Sequence, residues 1–217
     1  MTLAAASASA PTVHQASVLE RLRSDTRAAH ASIETVPALS RLLMPDLTQA
    51  EYIHALRKMQ AFHAAVGPAL RLQLQRVSRA QVLLDSSALA ALDADLAWYG
   101  VLPLAAPEIP YPPDAGAALG TLYVLEGSNL GGRIIGRHVS KSLGITARSG
   151  GAFYRGLCAE GARQRWNVLT EILLTEIAPA DERYAAVLTA AVGTFTAFEA
   201  WLRRSESDGS LSQAPTA

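Results

Sequence analysis

Cysteine is nearly absent: one residue, Cys158, in a chain of 217. That excludes an internal disulfide, a CxxC redox pair and a CxxCH attachment motif. The five histidines form neither HExxH nor any pair at four-residue spacing, so a zinc site of that kind is not expected. An excess of charge of either sign is missing too, with nineteen basic and nineteen acidic residues. No basic surplus points to a nucleic-acid partner. The apolar runs are interrupted by charge well short of the ~20 residues of a membrane span, so no membrane segment is expected. Met1 to Gln15 has no lysine or arginine and lacks the continuous apolar stretch of a secretory signal. Residues 1–16 therefore read as a disordered arm and 205–217 as a polar tail. A single domain over 17–204, in the cytoplasm, is the expectation.

Strict alternation of apolar and polar residues is also missing; every strongly periodic segment repeats at helical spacing. Val18, Leu22, Ala29 and Ile33, with Thr26 between, mark a first helix from about Ser17 to Glu34. Thr48 and Glu51 form a capping box for a second, striped by Leu56, Met59, His63, Val66 and Leu70. Gly67-Pro68 is expected to break or bend it. Ser87 reads as the N-cap of a helix that ends at Trp98-Tyr99 before Gly100. Five prolines between Pro103 and Pro113 forbid regular structure there. Asp114 can cap, and Gly144 close, a long helix; after a Gly150-Gly151 turn, two more run from about Glu160 to Ile177 and Asp181 to Arg204. The fold class is all-α.

That long helix is rich in the residue helices avoid. Gly120, Gly127, Gly131, Gly132 and Gly136 each cost about 1 kcal/mol relative to alanine. The sum, roughly 4–5 kcal/mol, is large against the ~5–15 kcal/mol stability of a domain. Something close to the backbone must offset it. Gly127–Gly131 and Gly132–Gly136 are small-xxx-small pairs suited to close helix packing; a flat ligand lying on the backbone is the other explanation. Gly127-x-x-x-x-Gly132-Arg133 also echoes a phosphate loop, but the required Lys-Ser/Thr is replaced by Arg133-Ile134, and no strand–helix repeat supports a parallel sheet.

Among the histidines, His14 lies in the arm, His54 and His138 read as solvent-facing, and His63 as a satisfied core or partly exposed residue. His30 differs by its neighbours. Glu34 stands one helical turn later on the same face, within reach of the imidazole. A carboxylate so placed fixes the tautomer and raises the basicity of a metal-ligating histidine. Arg23 stands seven residues earlier, about 10 Å along the axis, where a cation can meet an acidic group on a large ligand. A buried His30–Glu34 pair beside an exposed arginine remains the alternative.

Leu22-Arg23-Ser24-Asp25-Thr26-Arg27-Ala28-Ala29-His30 with Glu34, together with Leu122-Tyr123-Val124-Leu125-Glu126-Gly127-Ser128-Asn129-Leu130-Gly131-Gly132, resembles the heme oxygenase family, in particular its bacterial biliverdin-producing, phytochrome-associated branch. The resemblance runs from about Ser17 to Arg204. It implies a compact all-α domain with heme b, both cofactor and substrate, between a proximal and a distal helix. His30 then matches the proximal iron ligand and Glu34 the carboxylate holding its other nitrogen. Gly127, Gly131 and Gly132 match the distal glycines, Arg23 a basic partner of a heme propionate, and Arg163, more loosely, a second one. A family tyrosine near the distal motif is offset by one, to Tyr123. Many members carry aspartate after the first distal glycine; Ser128 stands there, with Asn129 as a helper in ordering water. The implied reaction consumes O₂ and electrons from a ferredoxin or flavoprotein reductase and gives biliverdin, CO and iron, with a bacteriophytochrome as a possible recipient of the product. A non-catalytic heme carrier or sensor using the same His30 pocket is the rival reading.

Overall fold

The computed structural model describes residues 17–205 apart from 76, 78, 85–86, 110–111 and 178–181. The arm 1–16, the tail 206–217 and Asp181 as a helix start lie outside the described residues. Nine α-helices are described: α1 (Val18–Asp25), α2 (Arg27–Glu34), α3 (Pro37–Ser40), α4 (Gln49–Leu74), α5 (Ser87–Trp98), α6 (Ala115–Leu143), α7 (Cys158–Glu160), α8 (Ala162–Glu176) and α9 (Glu182–Arg203). Two 3₁₀ turns (Arg41–Leu43 and Ala80–Leu83) and a π-helical stretch (Ala152–Leu157) join them. Among the described residues there is no strand, only isolated bridges from Thr146 to Ser149 and Gly150. The architecture is all-α.

The expected first helix is two. Thr26 departs from helical dihedrals at φ −94°, ψ −3°, and its hydroxyl donates at 2.6 Å to the same Leu22 carbonyl that its amide reaches. This back-bonding bends helices, and here it separates α1 from α2. The opposite departure occurs in α4, which runs past Gly67-Pro68 to Leu74 without a break. Ser87 is the first residue of α5 rather than its cap. Elsewhere the end signals hold. Thr48 and Glu51 close their capping box, with Arg41 on the same carboxylate at 2.7 Å. Asp114 accepts from the Ala117 amide at 2.8 Å, and Gly144 ends α6 at φ +69°.

The core gathers Tyr52, Leu56 and Phe62 of α4, Leu92 and Leu96 of α5, Leu119 and Leu122 of α6, Leu169 of α8 and Val187 of α9. The broadest interface joins α6 to α9. By length and composition α9 is apolar enough to cross a membrane, but it buries Val187, Ala191, Phe195 and Phe198 as an interior wall. Asp95 of α5 accepts from the Ala152 and Phe153 amides at 2.6 and 3.0 Å. It thereby fixes the start of the π-helical stretch that packs against α6.

Candidate functional site

The two sequence motifs lie on separate helices, His30 on α2 and the glycine run on α6. Helices α2 and α6 both pack on α9, yet share no broad interface with each other. Helix α6 is pinned at two places instead. In its first third the Tyr123 phenol lies beside Thr26 and Arg23, at the α1–α2 joint. Towards its end, a ring nitrogen of His138 makes a 2.9 Å hydrogen bond with the Met44 carbonyl. His138 therefore does more than face solvent. Between those pins lie Gly127, Ser128 and Gly131.

His30 is not on a buried stripe. Its side chain is 57% exposed and that of Glu34 66%, with His30 Nδ1 3.6 Å from the Glu34 carboxylate. The buried-pair alternative fails; Ile33 and half-buried Ala29 carry the packing of α2, and His30 stands at the edge of their stripe. The edge of its ring meets Phe195 of α9, centroids 5.7 Å apart. Glu34 at Nδ1 favours the tautomer protonated there, leaving the Nε2 lone pair for a metal.

The glycines divide. A Cβ on Gly120 would lie 2.1 Å from the Val187 carbonyl oxygen, one on Gly136 2.4 Å from that of Tyr154, and one on Gly132 2.7 Å from Cys158 Sγ. These three exist for packing. The close approach of Cys158 accounts for the bare backbone at Gly132 without a ligand. At Gly127 a Cβ would make ordinary contact with Trp166 at 3.4 Å. At Gly131 it would meet nothing within 4 Å. No protein atom accounts for that glycine, which marks open space on the exposed face.

Asn129 and Ser128 lie on different sides of α6. Asn129 is buried behind α6, where its amide donates to Glu126 at 3.3 Å, so it does not stand beside Ser128 as a helper. Ser128 is exposed, but its hydroxyl donates to the Leu125 carbonyl of its own helix at 2.7 Å; it can still accept. Tyr123 stacks obliquely on Trp166, centroids 5.4 Å apart, and desolvation raises its phenol's pKa against the opposing effects of Thr26 and Arg23. Arg23 and Arg163 are both exposed, Arg163 one turn before Trp166 on α8. His63 is buried, and burial pushes its pKa down to about 4. It is not satisfied: its Nε2 has no partner. Arg165, Trp166 and Phe195 carry no sequence signal of their own, and Glu126 stands in the motif without an assigned role. A carboxylate on the buried face of Leu122, Leu125 and Asn129 was the available signal for a hidden partner.

Among known proteins, the heme oxygenase family model matches residues 16–204. The chain belongs to the heme oxygenase family. Its structure is similar to that of the heme oxygenase from Neisseria meningitidis, solved in NO- and CO-bound forms, with a TM-score of 0.72 and 26% identity over 86% of this chain and 90% of that one. No curated protein matches the chain.

Proposed function

We propose that the chain binds heme b between α2 and α6 and opens its porphyrin ring, using O₂ and external electrons, to give biliverdin, CO and iron. The carrying observation is a pair. An exposed, carboxylate-flanked histidine lies on one helix and a glycine that no protein atom explains on another, and the space between these two helices is the proposed slot. Family membership and the Neisseria structure support heme degradation as the activity.

The residues present fit such a group. His30 Nε2 would hold the iron, and Glu34 would fix the ring and its proton at Nδ1. Gly131 leaves the opposite wall low, with Gly127 and Ser128 above the same slot. Ser128 Oγ, its proton spent on Leu125, offers lone pairs rather than charge. Arg23 and Arg163, both exposed, would supply positive charge for carboxylates on the ligand's edge. Bound heme supplies the redox centre that activates O₂ and is itself the substrate, while the protein contributes position and electrostatics. With no nucleotide-binding glycine motif in the sequence, electrons come from a ferredoxin or a flavoprotein reductase. We place the reaction in the cytoplasm, with no nucleic-acid or membrane partner, and a bacteriophytochrome as the recipient of the bilin.

Hemin titration followed by ascorbate and oxygen tests this. A 1:1 complex that turns over to biliverdin is expected, and in His30→Ala the histidine-ligated spectrum is lost. Return of intact heme identifies a carrier and overturns the oxygenase reading. Loss of the ligand signature in His63→Ala, rather than in His30→Ala, overturns the proximal assignment.

A further inference from the structure

Past Leu125, the turn of α6 that carries Gly127 to Gly131 is lightly supported on its outer side. Four glycines between Gly127 and Gly136 lower its helical propensity. Its outward face at Gly131 meets nothing. Apolar packing holds the inner side at Val124 and Leu125 before this stretch and again at Gly132, where Cys158 and Tyr154 press close, with Trp166 against Gly127 between them. Behind the turn Glu126–Asn129 lies a void of about 60 Å³ lined by His63, Val66, Leu70, Leu122, Leu125 and Asn129. What crosses to this turn is an ion pair. Arg165 of α8 grips both oxygens of Glu126: its Nη2 stands 2.6 Å from Oε1, and its Nε 3.1 and 3.0 Å from Oε1 and Oε2. The two side chains are only 12% and 3% exposed. A second hydrogen bond from the same Nη2 reaches the Leu83 carbonyl at 3.1 Å, and Nη1 reaches Val82 at 3.4 Å. Asn129 completes the group by donating to Glu126.

We infer that Glu126 and Arg165 are positioning residues that hold the backbone of Gly127–Gly131 at a fixed height over the slot. Glu126 directly precedes Gly127, so the fork on its carboxylate references the weakest stretch of α6 to α8 and to the Ala80–Leu83 turn. A buried ion pair adds little net stability over apolar residues of similar volume, whereas removing one partner alone leaves a costly unpaired charge. Its use here is to fix a geometry that glycine-rich helix cannot fix by itself. The inference rests on the slot being the heme site.

The same contrast supplies the test. Replacing both partners, Glu126→Leu with Arg165→Met, removes the fork without stranding a charge. In the apoprotein, backbone amides from Gly127 to Gly132 are expected to exchange with solvent at least ten times faster, while melting temperature and protection in the α6–α9 interface stay at wild-type values. With hemin and reductant, the isomers of the ring-opened pigment broaden from one to a mixture. Arg165→Lys keeps the buried charge but not the bidentate fork, and moves the same amides by a smaller factor, which guards against misfolding of the double variant. Unchanged exchange and an unchanged product pattern in both variants overturn the inference. Failure of the wild-type protein to bind or open heme overturns the functional reading instead, and leaves the exchange result standing by itself.

Discussion

Gly120 and Gly131 sit on one helix and owe their presence to opposite circumstances. At Gly120 α6 lies so close to α9 that a single carbon would run into the Val187 carbonyl; at Gly131 the same carbon would enter empty space. The N-terminal half of α6 is a core helix using a small residue for close approach. The stretch from Gly127 to Gly131 is a wall kept low. Summing glycine penalties along a sequence cannot separate these causes, since the helix loses the same propensity at each. What lies within one carbon's length of the backbone does.

The largest stability effect belongs to the packed half. Gly120→Val is expected to destabilise the apoprotein by about 3 kcal/mol or more, at or beyond the top of the usual overpacking range, because the obstacle is backbone and cannot rotate away. Thermal or urea unfolding measures it, and a wild-type melting temperature would erase the distinction between the halves.

The polar region behind the open half responds to pH. Burial lowers the pKa of His63 from 6.5 to about 4. A lowered value means the folded state favours the neutral ring. The associated stability is therefore fully present above pH about 6.5 and is lost as pH falls towards about 4, up to about 3 kcal/mol from this residue. His63→Phe is expected to flatten that part of the apoprotein's acid limb. An unaltered slope between pH 6.5 and 4 would show that the ring is not held neutral.

Ser128→Ala has the smallest effect on the fold. The hydroxyl is exposed and bonds only within its own helix, so apoprotein stability should move by less than about 0.5 kcal/mol. Biliverdin formation is nevertheless expected to slow several-fold, as the loss removes an acceptor above the slot. Full rate and yield in single-turnover assays would assign that role to backbone groups alone.

The helices, their caps and the all-α class were legible because periodicity and end signals are local. Ser17 to Glu34 was misread as one helix because Thr26 bends it by a side-chain bond back to Leu22, which competes with a good helical pattern and leaves no compositional mark. The pairing of His30 with Glu34 was legible from spacing, but not its exposure, since a site awaiting a ligand looks like an edge of the core. Which glycines serve packing was hidden for a deeper reason. The partners of Gly120, Gly132 and Gly136 are Val187, Cys158 and Tyr154, far away in sequence and brought close only by tertiary folding. Asn129 was placed on the wrong side of α6 because adjacency to Ser128 in sequence is about 100° of rotation on a helix.

Gly131→Val tests the account most directly, with apoprotein melting and hemin titration on the same preparation. An open face over the heme slot predicts an apoprotein at least as stable as wild type, since valine is the better helix former, and hemin affinity at least ten-fold weaker. A clear fall in apoprotein stability with hemin affinity intact would contradict it, and would move Gly131 into the same class as Gly120.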